Sequence, residues 1–287
     1  MRSNIRRFAA HVSAFAIGFV SAPSFAGAVA VSEIHFDWTS VSITTDSGLT
    51  LRPDPVAGGK YANTAQLGVS QGEVNGVTVP SEDLRPYNLS YQPVDTPLGI
   101  HYSLGNSIGS IAADMATDAS SASLRSTATD NDGNPLNGNF INAYVAHGAR
   151  SITSGNGTLG VSVSYTMDFT ITGDTSVDVA DAYGVVTLAL QDYVINGQGG
   201  FDYQGSVQDS FNHRSYLADG SFSKRATLSL QLPVTGTAEH LVLLEMNGFA
   251  IPFANSFAPS PVPEPHAFQL ALVGLGLLGF KAWRRKP

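Results

Sequence analysis

The stretch GVSVSYTMDFTIT, residues 160–172, constrains the fold of this chain more than any other. Val161, Val163, Tyr165, Met167, Phe169 and Ile171 alternate with Ser162, Ser164, Thr166, Asp168, Thr170 and Thr172. Successive side chains of a strand project to opposite faces, so this alternation predicts a strand with one buried face and one wet face. ATLSLQL at 226–232 repeats the pattern, with Leu228, Leu230 and Leu232 directed inward. Tyr183–Ile195 and His240–Ile251 alternate less strictly, and runs such as LVLLEM suit central strands covered on both faces.

Weaker strand signals fall at Glu33–Thr45, Tyr61–Val69, Glu73–Val79, Phe140–His147 and Phe201–Val207. Turn chemistry separates many of them: Asn75-Gly76, Asn137-Gly138, Gly155-Asn156-Gly157, Asn196-Gly197 and Asp219-Gly220. About ten strands at this spacing predict an all-β, antiparallel β-sandwich, jelly-roll-like or Ig-like. Residues 46–98 carry scattered prolines and read as long loops or a small subdomain. Ser107–Arg125 is ambiguous, because Ile108, Ile111, Ala112 and Met115 fall at helical spacing while SSASLRS favours a strand.

The two ends differ from this body. MRSNIRR is followed by the apolar FAAHVSAFAIGFVSA and by Ser24-Phe25-Ala26, the layout of a secretory signal peptide cleaved after Ala26. At the other end, Pro263-Glu264-Pro265 precedes an apolar run that reaches Trp283, and Arg284, Arg285 and Lys286 follow it. Ala267–Trp283 would form roughly 26 Å of helix, slightly short of a bilayer core. Lys281 extending its ammonium to the headgroups eases the mismatch, and the basic cluster sets a cytoplasmic stop. The expected organisation is a signal peptide at 1–26, an exported β-sandwich at 27–258 and a proline-rich linker at 259–265. A transmembrane helix at 266–283 and a basic cytoplasmic tail at 284–287 complete it.

Pro263-Glu264-Pro265, the short hydrophobic helix and the terminal Arg/Lys cluster together resemble the PEP-CTERM sorting signal of Gram-negative bacteria. The resemblance covers about 25 residues. It implies an exosortase, a membrane-embedded cysteine transpeptidase-like enzyme, as partner, with the tail removed in transit to the cell surface. It also implies an association with exopolysaccharide or biofilm matrix. Read without the family, two prolines around Glu264 hold the backbone extended and present one carboxylate at a fixed height above the membrane.

Charge narrows the partners. Residues 27–265 carry eight Lys or Arg against 23 Asp or Glu, a net charge of −15. That balance argues against nucleic acid and anionic lipid surfaces. The chain has no cysteine, so neither a thiol nucleophile nor a Cys-ligated metal site is available.

Three constellations bear on chemistry. Gly105-Asn106-Ser107-Ile108-Gly109 matches the G-x-S-x-G nucleophile elbow, with IHYSL as the strand before it and IAADMAT as a candidate helix after it. Ser107 would be the nucleophile of a serine hydrolase, with Asp209 or Asp219 and then His240. DNDGN at 130–134 fits neither frame of a calcium loop and reads as an exposed turn, and Asp174, Asp178 and Asp181 form a second acidic cluster. The six histidines outside the leader, His35, His101, His147, His213, His240 and His266, show no zinc spacing. Trp38, Tyr87, Tyr91, Phe201 and Tyr203 are candidates for stacking on sugar rings in a carbohydrate- or calcium-binding module. The expectation is an exported surface or matrix protein that is not an enzyme, with no cofactor and with extracellular polysaccharide as a further partner.

Overall fold

Alternating apolar residues in many segments require a surface on which one face of each can be buried, and two facing sheets supply it. The computed structural model describes residues 27–54, 64–79, 92–93, 98–106, 108–118, 120–134 and 136–257. The leader with Ala26, the Pro263-Glu264-Pro265 segment, the expected transmembrane helix and Arg284, Arg285 and Lys286 lie outside them, as do Tyr87, Tyr91 and Ser107.

The described residues form antiparallel strands and no helix. In chain order these are β1 (Ala28–Thr45), β2 (Leu49–Pro53), β3 (Thr64–Val74), β4 (Val77–Thr78), β5 (Gln92–Pro93), β6 (Leu98–Gly105) and β7 (Gly109–Thr117). They continue with β8 (Ser121–Asp130), β9 (Asn139–Gly155), β10 (Gly157–Thr172), β11 (Asp178–Ile195), β12 (Phe201–Tyr216), β13 (Phe222–Val234) and β14 (Glu239–Ser256). One sheet has the order β13-β10-β1-β8-β7-β6, and the other β12-β11-β14-β9-β3-β4, with β2 on β9 and β5 on β3.

The core lies between the sheets. In the first sheet Met115, Leu124, Ile34 and Met167 form one buried row, each registered with the next across β7, β8, β1 and β10. The second sheet answers with Val186, Leu188, Leu190, Leu244 and Met246. Gly248 and Gly184 set the approach of the sheets: a Cβ on Gly248 would lie 2.8 Å from Phe36 Cζ, and one on Gly184 3.0 Å from Phe169 Cζ. Large side chains of one sheet therefore rest on bare backbone of the other.

Several expectations are corrected. Ser107–Arg125 contains no helix among its described residues: it is β7 and β8, whose registers bury Ile111, Ala113, Met115, Ala122 and Leu124 on one face. Glu73–Val79 is not one strand but the β3–β4 hairpin, turning at Asn75, which has φ 52°, and Gly76. The LVLLEM segment is central, with β14 between β11 and β9, and its cover is uneven: Val242, Leu244 and Met246 are buried on the inner face, while on the outer face Leu241 is buried and Leu243 and Glu245 are partly buried. β9 continues past His147 to Gly155 because GARSITSG, without an apolar alternation, is held by ladders to β14 and β2. β12 likewise continues to Tyr216, although most of its side chains are exposed, through its ladder to β11.

Candidate functional site

The two chain ends of the sandwich meet at one place. β1 begins at Ala28, registered with Asp130 at the end of β8. The amide of Ser256, the last residue of β14, donates to Asp130 Oδ2 at 2.8 Å, and its hydroxyl donates to Asp178 Oδ1 at 2.8 Å. Asp130 is not the exposed turn residue expected from DNDGN; it is buried, and that burial raises its carboxyl pKa above the usual range. Only the rest of the motif turns at the surface, where Asp132 accepts the amide of Asn134 at 2.6 Å.

The second acidic cluster is also occupied structurally. Asp174 accepts the amide and hydroxyl of Ser176, Asp178 holds Ser256 and the Asp174 amide, and Asp181 pairs with Arg214 at 2.9 Å. Among the described residues no three His, Cys, Asp or Glu converge as a metal-binding group.

The residues proposed for a hydrolase are scattered. Gly105 and Gly109 close an antiparallel hairpin, registered through Gly105 and Ser110, and a strand follows instead of the helix an elbow requires. Gly109 is registered with Asp130, at the Ser256 end of β14. His240 stands sixteen residues away at the start of that strand, roughly 50 Å along it. Its ring bonds not to Asp209 or Asp219 but to Asp192, at 2.8 Å, in the buried core. Asp209 is exposed on β12, and Asp219 accepts the Tyr216 amide in the β12–β13 turn.

Trp38, expected to face sugar, is buried and stacks on His147 with centroids 3.9 Å apart and planes 9° apart. Burial lowers the His147 pKa to about 4, opposed only by the charge of Asp118. The imidazole is therefore a neutral core ring at physiological pH.

Phe201 and Tyr203 are 50% and 58% exposed, on the outer face of the second sheet near the start of β14. Tyr203 meets Tyr193 edge-on at 5.4 Å and 60°. Beside them a groove of about 500 Å³ is lined by Tyr193, Phe201, Leu241, Leu243, Arg150 and Glu245. The hydroxyl of the lining Tyr193 donates to Gln191 Oε1 at 2.8 Å, and that of Tyr203, which packs on Tyr193 outside the lining, donates to Ser206 Oγ at 3.0 Å. Arg150 is paired with Asp54 at 3.0 Å. The partnership of Tyr193 with Phe201 and Tyr203 was not legible beforehand, since it depends on the β11–β12 register and its bulge after Asp192.

The outer face of the first sheet carries a different surface. His101, Asp114, Arg125, Glu33 and Asp168 form one cross-strand row, with His101 on Asp114 at 2.6 Å and Arg125 on Glu33 at 2.7 Å. A trough of about 540 Å³ runs beside it over Gly99, Ala116 and Ser123.

Residues 261–286 match the PEP-CTERM protein-sorting motif. The tail is a PEP-CTERM sorting signal. A PEP-CTERM signal implies an exported protein that transits the membrane and is processed by an exosortase. No curated protein matches the chain. Among solved structures, one of the Gx strain of infectious bursal disease virus is 10% identical, covering 90% of this chain and 76% of that chain at a TM-score of 0.15. The secreted serine protease VesC from Vibrio cholerae is 7% identical over 75% of this chain and 51% of its own, at a TM-score of 0.11. Vicilin from Capsicum annuum is 9% identical over 78% and 86%, also at 0.11. At these scores none of the three carries an argument.

Proposed function

We propose that this PEP-CTERM protein is a non-enzymatic component of the cell surface or extracellular matrix, delivered through an exosortase and associated there with extracellular polysaccharide in the manner of a biofilm constituent. The sorting signal at 261–286 is the observation that carries this reading. Its segments have an ordered division of labour: the leader delivers the chain to the export channel, Pro263-Glu264-Pro265 presents the processing point, and the apolar run with Arg284, Arg285 and Lys286 holds the chain in the inner membrane in transit.

The geometry of the sandwich supports the same reading. The described chain leaves β14 beside Asp130, where β1 also begins. The opposite end of the sandwich lies about 50 Å from this exit along the strands. The aromatic groove sits at that opposite end, through Leu241.

Intact mass and fractionation of the protein from its native host test the proposal. A surface-located chain lacking its leader and truncated near Pro263–Pro265 is expected. A chain that keeps its tail and stays in the inner membrane would overturn the exosortase reading and leave an ordinary anchor.

A further inference from the structure

We infer that the groove between Tyr193, Phe201 and Leu241 is a binding site for a neutral polysaccharide. The proposal rests on the surface reading above for the meeting of protein and polymer, but not for the chemistry of the groove.

The floor is apolar. Leu241 is buried beside the partly buried Leu243, Phe201 stands exposed in the same lining, and the exposed Tyr203 packs on the lining residue Tyr193. Gly148 places no side chain on the β9 side, which leaves the groove open there. Aromatic side chains tend to be largely buried, because each carries a large apolar face. A pyranose ring offers the complement: one face of C–H groups that shields an aromatic ring, and a rim of hydroxyls that must keep hydrogen bonds. The lining offers acceptors for those bonds: the Tyr193 hydroxyl oxygen, whose hydrogen is donated to Gln191, and the carboxylate of Glu245, one oxygen of which also accepts from Asn247. An apolar floor with a few placed polar groups is the common composition of a small-ligand site.

Charge selects the class of polymer. Arg150 is the one cation among the lining residues, and Asp54 already neutralises it. Glu245 faces the same groove, and the body carries a net charge of −15. A uronate- or phosphate-bearing chain would meet the Glu245 carboxylate, with Arg150 already paired to Asp54. The same net charge opposes a second copy of this chain as the occupant, since two strongly acidic bodies repel.

The test uses protein purified from its native host and measures retention on dextran, cellulose and starch as neutral polymers and on alginate as an acidic one. Retention on a neutral polymer and not on alginate is expected. Phe201→Ala with Tyr203→Ala should weaken it by about tenfold or more while the circular dichroism spectrum is unchanged, since both side chains are exposed. Arg150→Gln should not create selectivity for alginate. The inference is overturned by retention on alginate in preference to the neutral polymers, by no retention on any neutral polymer, or by retention that the double variant leaves intact. A dimer abolished by the double variant would assign the groove to a second copy instead. Failure of the sorting reading has a separate signature, a full-length membrane-held chain whose retention on neutral polymer is unaffected.

Discussion

Trp38 and His147 stack face to face across the two sheets, 3.9 Å apart and within 9° of parallel. Trp38 lies in β1 of the first sheet and His147 in β9 of the second, so the contact closes the sandwich with an ionisable ring. The imidazole is neutral because burial lowers its pKa to about 4. In the unfolded chain the same ring titrates near 6.5. Between these values the unfolded state binds the additional proton, so stability falls as pH drops through the window and levels off below it. The span amounts to roughly 3 kcal/mol. Urea unfolding at pH 7 and pH 4.5 should show a loss of this order, and His147→Phe should flatten that part of the profile. An unchanged slope in the variant would remove His147 as the cause.

Asp130 carries a prediction of opposite sign. Its raised carboxyl pKa, caused first by burial, means that ionisation opposes the fold as pH rises through the raised value. Asp130→Asn keeps an oxygen for the Ser256 amide and removes the buried charge but loses the acceptor for the Asp132 amide at 3.1 Å, so the two effects should largely offset and leave a loss below that of alanine at pH 7. Asp130→Ala leaves the Ser256 and Asp132 amides without this acceptor and should cost about 1–3 kcal/mol in urea unfolding.

Gly248 tests the sheet spacing. Gly248→Ala would place a methyl group 2.8 Å from Phe36 Cζ and 3.0 Å from Ile34 Cγ2. Both neighbours are buried core residues, so the variant should lose about 1–3 kcal/mol. A thermal midpoint equal to that of the parent would show that the sheets separate without cost.

The leader should be removed after Ala26. Ala28 and Ala30 are fully buried, and Val29 and Ala30 pair with both β10 and β8. Cleavage after either alanine would cut away the start of a central strand, whereas Gly27 precedes the ladder. N-terminal sequencing of the exported protein is expected to begin at Gly27, and a start at Val31 would contradict it.

Glu264 is the one carboxylate of the sorting segment. Glu264→Ala should leave export intact and hold the tail on the chain, read as an intact-mass increase over the processed protein. Processing at the parent rate would assign recognition to the prolines or the helix alone.

The presence of the sorting signal was legible from the sequence, because the matched residues 261–286 carry it as a linear pattern that needs no tertiary context. The strand character of 160–172 and 226–232 was legible for a related reason: a period of two is a local property, and it survives as β10 and β13. The groove was legible only in part. Phe201 and Tyr203 stood out as aromatics, but so did Trp38, and composition does not separate a ring on the surface from a ring in the core.

Tertiary structure made that separation. It buried Trp38 against His147, left Phe201 and Tyr203 outside, moved His240 to Asp192, and brought Ser256 to Asp130, 126 positions away. Each of these depends on strand register and on which sheet a strand joins. Alternation alone sets only which side chains of a strand share a face. Neighbours across a sheet, and across the core, are chosen by long-range pairing, and that choice placed the chain exit at one end of the sandwich and the open groove at the other.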